Sequence, residues 1–129
     1  MTVPTTTHFQ VPTTQESPDV CLGPAGSAAH VTRVVRMVQG RWKLPILFRL
    51  FADPTLRTLQ LKRDLGSISQ KVLTQHLREL AEDGLVARVE HAGKSLRVEY
   101  QLTEMGRQLR AVLVAARMFS VDHPTGQPG

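Results

Sequence analysis

At 129 residues the chain has room for one domain with tails, not for two of ordinary size. Its 41% hydrophobic and 21% charged content is that of a globular chain, and no apolar run approaches the roughly 18 residues that span a bilayer. One cysteine excludes an internal disulfide and a multi-thiolate metal site, while sixteen basic residues against eleven acidic, a net of +5, direct attention to an anionic partner.

The charge is uneven. Residues 21–121 hold all sixteen basic residues and eight of the acidic ones, a net of +8. The first twenty residues contain six Thr and three Pro, no Lys or Arg, and no leader-like apolar core. A disordered arm is expected over 1–26, with a second disordered segment over 122–129 around the sequence DHPTGQPG. The folded domain is expected over 27–121.

Taken in chain order, Val31, Val34, Val35 and Val38 fall at helical spacing and predict a helix over 28–39, capped by Ser27 and stopped by Gly40. A second helix is predicted over 42–52, with Ile46, Leu47, Leu50 and Phe51 apolar and Pro45 in its first turn. A short helix at 58–65 ends on Gly66. After the turn Gly66-Ser67-Ile68 comes a helix to about residue 83, striped by Leu73, Leu77 and Leu80. Ser69 is its expected N-cap, with Ser67 as a rival, and Gly84 its terminator.

The period then changes from 3.6 to 2. Residues 86–89 and 96–102 alternate around the Gly-containing turn 91–95, which predicts a two-stranded hairpin. Thr103 is the expected cap of a last helix over 104–120, with Met105, Leu109, Val112, Leu113 and Ala116 apolar. This order predicts a mainly α fold with a small β-hairpin, a winged helix-turn-helix with an extra helix at each end.

Two helices joined by a turn this short cross steeply, so the second projects from the body. With its leucines inward, Ser69, Gln70, Lys71, Thr74, Gln75 and Arg78 are expected to meet double-stranded DNA. Gln can bond adenine bidentately, Arg and Lys bond guanine, and Thr meets a thymine methyl. Arg88, Lys94 and Arg97 on the hairpin are expected to reach phosphate or the minor groove, with Glu90 and Glu99 diluting their charge. The stripes Val31/Val34/Val35/Val38 and Leu109/Val112/Leu113/Ala116 are expected to form a homodimer contact.

These blocks carry a resemblance. Gly40-Arg41-Trp42-Lys43, Ile46-Leu47, the run from Ile68 to Gln75, Leu77-Arg78-Glu79-Leu80, Asp83-Gly84-Leu85-Val86, Arg97-Val98-Glu99-Tyr100, Leu102-Thr103 and Gly106 together resemble the HxlR-type bacterial transcription regulators. The similarity spans roughly residues 28–120. It implies a winged helix-turn-helix dimer held by its terminal helices, acting as repressor or activator, with the recognition helix beginning over Ser69 to Arg78. The chain departs from the family pattern in two places. Thr58 and Leu59 stand where members usually carry Phe-Ser. Ala28 and Ala29 occupy the region where many members carry a Cys, so a sensor role does not transfer to Cys21.

Other chemistry finds less support. Cys21 with His30 lacks a third group and an oxyanion donor. His8, His30, His76, His91 and His123 show no metal-ligand spacing. Trp42 reads as a core anchor rather than a stacking platform for single strands. Arg107, Arg110 and Arg117 would suit a membrane-surface helix, but a dimer seam is the better reading. The expectation is a cytoplasmic, nucleoid-associated DNA-binding regulator, not an enzyme. It needs no cofactor or metal, has no membrane partner, and leaves a small-molecule effector open. The alternative is a winged-helix module for protein–protein contact with weak or no DNA binding.

Overall fold

The structure is a computed structural model that describes residues 18–93 and 97–125. It divides into two compact units between Gln39 and Gly40.

The first unit holds two helices, α1 (Pro18–Leu22) and α2 (Ser27–Val38). Helix α1 lies in the segment that the sequence assigns to a disordered arm; residues 1–17 of that arm fall outside the described residues. The two helices meet closely at Gly26, where a Cβ would come within 2.7 Å of the backbone of Val20 and Cys21. Gly26, not Ser27, caps α2, and no side chain bonds to its first turn. The small residue needed for the close approach displaced the hydroxyl cap by one position. Along α2, Val31 and Val35 are exposed, Val34 is half-buried, and Met37 and Val38 are buried.

The second unit contains α3 (Lys43–Ala52), β1 (Thr55–Arg57), α4 (Thr58–Leu65), α5 (Gln70–Glu82), β2 (Val86–His91), β3 (Arg97–Leu102) and α6 (Glu104–Asp122). The predicted helices stand within a residue or two of these bounds, and Pro45 sits in the first turn of α3 as its missing N–H requires. The hairpin gains a strand. Residues 55–57 pair antiparallel with β3, giving a three-stranded sheet in the order β1-β3-β2. Three residues are too few to declare a period, and pairing with a distant strand leaves no local signal. Burial of Leu56 opposite Tyr100 supplies what the sequence could not display.

The core of this unit is aliphatic. Ile46, Leu47 and Leu50 of α3, Leu61 of α4, and Leu73, Leu77 and Leu80 of α5 are fully buried, joined by Ile68, Leu85, Val86, Tyr100 and Leu102. Each buried leucine contributes roughly 1.5–3 kcal/mol relative to exposure, so the three on α5 fix the rotation of that helix. Arg49 reinforces the pairing of α3 and α4, with its Nε 2.7 Å from Asp64 Oδ2.

Helix α5 ends in a Schellman motif. Gly84 adopts φ 87°, its N–H bonds Ala81, and the Leu85 N–H bonds the Leu80 carbonyl at 3.0 Å. Directly beyond, Thr103 joins three elements. Its N–H donates to the Leu85 carbonyl, its hydroxyl donates to the Gly84 carbonyl, and the same oxygen accepts the Gly106 N–H to cap α6. Gly106 presses so close that a Cβ would lie 2.2 Å from the Leu85 carbonyl oxygen and 3.0 Å from Leu102 Cδ2. Backbone cannot yield there as a flexible side chain would. Gly106→Ala is therefore expected to destabilise the protein by about 1–3 kcal/mol or more. Chemical denaturation checks this, and an unchanged midpoint would refute the packing.

A candidate DNA-reading surface

Ser69 Oγ accepts the Val72 N–H at 3.1 Å, which identifies Ser69 rather than Ser67 as the cap of α5. That leaves the Ser69 hydroxyl hydrogen free to donate outward. With the leucine stripe buried, Ser69, Gln70, Lys71, Gln75 and Arg78 are exposed and Thr74 is half-buried. The side chains of Lys71 and Arg78 make no hydrogen bond or ion pair with any described residue. Gln70 Nε2 lies 3.2 Å from Thr74 Oγ1, so these two side chains lean on each other along the helix.

The hairpin residues do not act as one cluster. Arg88 stands opposite Tyr100 and shares a sheet face with Val86, Glu90, Val98 and Leu102, the face turned toward the core. It lines a cleft of about 240 Å³ with Gln70 and Thr74 of α5, Thr58 at the start of α4, and Val98 and Tyr100 of β3. Arg97 stands opposite His91 on the other face. Both cations have acidic partners: Arg88 pairs with Glu90, and Arg97 Nε lies 3.8 Å from Glu99, which also bonds His91 Nε2 at 2.7 Å. Lys94, expected at the wing tip, lies outside the described residues.

Thr58 and Leu59, where the family pattern is broken, now have defined settings. Leu59 is 66% exposed, whereas Thr58 Oγ1 is buried at the cleft with no hydrogen-bond partner among the described residues. Thr58 stood out in the sequence only as a departure from the family pattern, and Val98 and Tyr100 only as part of a strand; their place at a cleft exists only once the sheet is folded against α5.

A second feature behind α5 escaped sequence reasoning. Lys43 is the one charged residue buried among the described residues, and its Nζ lies 2.9 Å from Glu79 Oε1. Gln75 Nε2 donates to Glu79 Oε2 at 2.7 Å, and His76 Nδ1 lies 3.5 Å from Oε1. The hydrogen bond from Gln75, then that from Lys43, hold the Glu79 carboxyl down from its ordinary 4.5 to about 2. The i, i+4 spacing of Gln75 and Glu79 was visible in the sequence; their tie to α3 was not.

The apolar faces sort differently from the expected dimer stripes. On α6, Leu109 and Leu113 are buried within the unit, while Met105, Val112, Ala116 and Phe119 are exposed. A Leu113→Asp substitution would thus strike the core. Cys21 is half-buried in α1. No group of three or more His, Cys, Asp or Glu among the described residues is placed to hold a metal ion, and no described helix is long and apolar enough to cross a membrane.

The comparisons with known proteins agree with this geometry. The model of the HxlR-like helix-turn-helix family matches residues 37–123. The helix-turn-helix transcriptional regulator YtcD of Bacillus subtilis is 38% identical over 93 residues, which cover 72% of this chain and 73% of that protein. Two solved structures are similar. A transcriptional regulator of the MarR family from Enterococcus faecalis V583 superposes with TM-score 0.72 at 34% identity, covering 76% of this chain and 88% of its own. The reduced form of the regulator YodB from B. subtilis superposes with TM-score 0.68 at 28% identity, covering 78% of this chain and 95% of its own.

The Glu79 site sets an acid limit. A carboxyl whose pKa is depressed on folding stabilises fully above its unfolded value and ceases to do so as pH falls through the folded one. Between about pH 4.5 and pH 2 the wild type should lose stability relative to Glu79→Gln. Urea midpoints across that window measure it; parallel curves would contradict the Glu79 contacts.

Proposed function

The chain belongs to the HxlR-like helix-turn-helix family of transcriptional regulators, which bind DNA and are not enzymes, and from that premise we propose that it is a dimeric, sequence-specific regulator reading duplex DNA with α5. The observation that carries the reading is the outward face of α5. Its rotation is fixed by Leu73, Leu77 and Leu80, and it presents Gln70, Lys71, Thr74, Gln75 and Arg78 together. Arg88, across the cleft, stands beside that face and supplies a cation near the groove edge. Arg97 and Lys94 are assigned to phosphate contact from the hairpin. The working compartment is the cytoplasm, at the nucleoid.

Dimerisation is assigned to the exposed apolar residues, Val31 and Val35 on α2 and Met105, Val112, Ala116 and Phe119 on α6. A small protein rarely leaves such faces uncovered. A two-fold dimer would set two recognition helices about 34 Å apart, one turn of DNA, or a multiple of it. Light scattering should report a dimer at micromolar concentration, and Val112→Asp a folded monomer with weakened DNA binding. A wild-type monomer would overturn the assignment.

Base reading and phosphate contact separate experimentally. Gln75→Ala should cost about 1–3 kcal/mol on the preferred duplex and relax discrimination at one or two base pairs. Arg97→Ala should weaken all duplexes similarly and lower the salt slope by about one unit. Isotherms on preferred and scrambled duplexes at several salt concentrations test both. Equal weakening of both duplexes by Gln75→Ala would remove α5 from base reading and favour a protein-contact module.

A further inference from the structure

Gln75 does not hang free on the recognition helix. Its Nε2 donates to Glu79 Oε2 at 2.7 Å, and the opposite oxygen of that carboxylate is held 2.9 Å from the buried Lys43 Nζ. Lys43 belongs to α3, so the chain Lys43–Glu79–Gln75 reaches from the core to the outward face of α5. An ionised carboxylate only accepts hydrogen bonds, so an amide that faces it must turn its NH2 group inward. The Gln75 carbonyl oxygen then faces away, with one N–H of the amide left unused. Glu79 stays ionised at any pH the folded protein meets near neutrality.

We infer that Lys43 and Glu79 are positioning residues that lock the amide of Gln75 so that it offers DNA one acceptor beside one donor, the pattern complementary to adenine. In the major groove adenine presents the N6 donor next to the N7 acceptor, which this amide matches bidentately. Guanine presents two acceptors, N7 and O6. A free Gln could turn both amide hydrogens toward guanine; here one of them is committed to Glu79. The relay therefore sets both which base is read and which is refused. A locked side chain also loses less freedom when it binds.

This inference rests on the reading of α5 as the DNA-reading helix, and the test keeps the two apart. The full-length protein is titrated, at one salt concentration, with its preferred duplex and with a duplex changed from A·T to G·C at the pair where Gln75→Ala loses discrimination. The ratio of the two affinities cancels general charge effects. Wild type should favour A·T on the order of tenfold or more, as a good bidentate contact does. Glu79→Gln, nearly isosteric, and Lys43→Met should each bring the ratio down at least about threefold, within that same contribution. Neither should lower it further in a Gln75→Ala background. Should Lys43→Met melt below the assay temperature, Glu79→Gln alone decides. An unchanged ratio in Glu79→Gln, or an equal loss with Gln75 already removed, overturns the inference and leaves α5 as the reading helix. A protein whose Gln75→Ala variant discriminates like wild type, at every base pair, overturns the reading itself.

Discussion

The carbonyl of Leu85 is the point on which the second unit depends. It accepts the Thr103 N–H at 3.1 Å and lies against Gly106 so closely that no side chain fits between. Three elements meet there: the end of α5, the start of β2 and the start of α6. The hydroxyl of Thr103 closes the junction by donating to the Gly84 carbonyl at 2.5 Å while capping α6 at Gly106. The reading role proposed for α5 requires that it project at a fixed angle from its support. Here the angle is set by backbone hydrogen bonds and one glycine rather than by long side chains, which lose more entropy when ordered.

Around that junction the charges divide into two kinds. Among the described residues Lys71 and Arg78 on α5 have no acidic partner, whereas Arg88 and Arg97 on the hairpin stand beside Glu90 and Glu99. Exposed pairs of this sort contribute little to stability, so phosphate can exchange for carboxylate at small cost. Helix α5 thus carries cations that no carboxylate among the described residues holds. The face assignment of the sheet matters more than the count of cations: Arg88 works beside α5 and Arg97 on the far side of the ribbon. Behind α5, Lys43 and Glu79 do different work, joining the helix to α3 and holding Gln75.

Helix α5 was the most legible part of the sequence, because each local signal agreed with the next. The leucine stripe, the Ser69 cap, and Gly84 followed by Leu85 all act within a turn or two of chain, and Thr103 announced α6 in the same way. What escaped notice depends on distant partners. Strand β1 exists only because β3 passes beside it, and the Pro54 carbonyl just before it accepts the Leu102 N–H. The single apolar stripe read on α6 proved to have two parts. Leu109 and Leu113 face the unit's own core, and Val112 and Ala116 face outward; periodicity cannot separate a core edge from an exposed one. The link from Lys43 to Glu79 was hidden for the same reason, since a lysine near the start of a helix reads as solvated until the fold buries it.

Chemical-shift mapping of the isotope-labelled protein with its preferred duplex tests the central claim, that α5 and the hairpin face beside it form the DNA-reading surface. Perturbations are expected to concentrate over Ser69 to Arg78, at Thr58 and at Arg88, with the outer face of α6 around Val112 and Phe119 unaffected. Perturbation of α6 with α5 silent would contradict it.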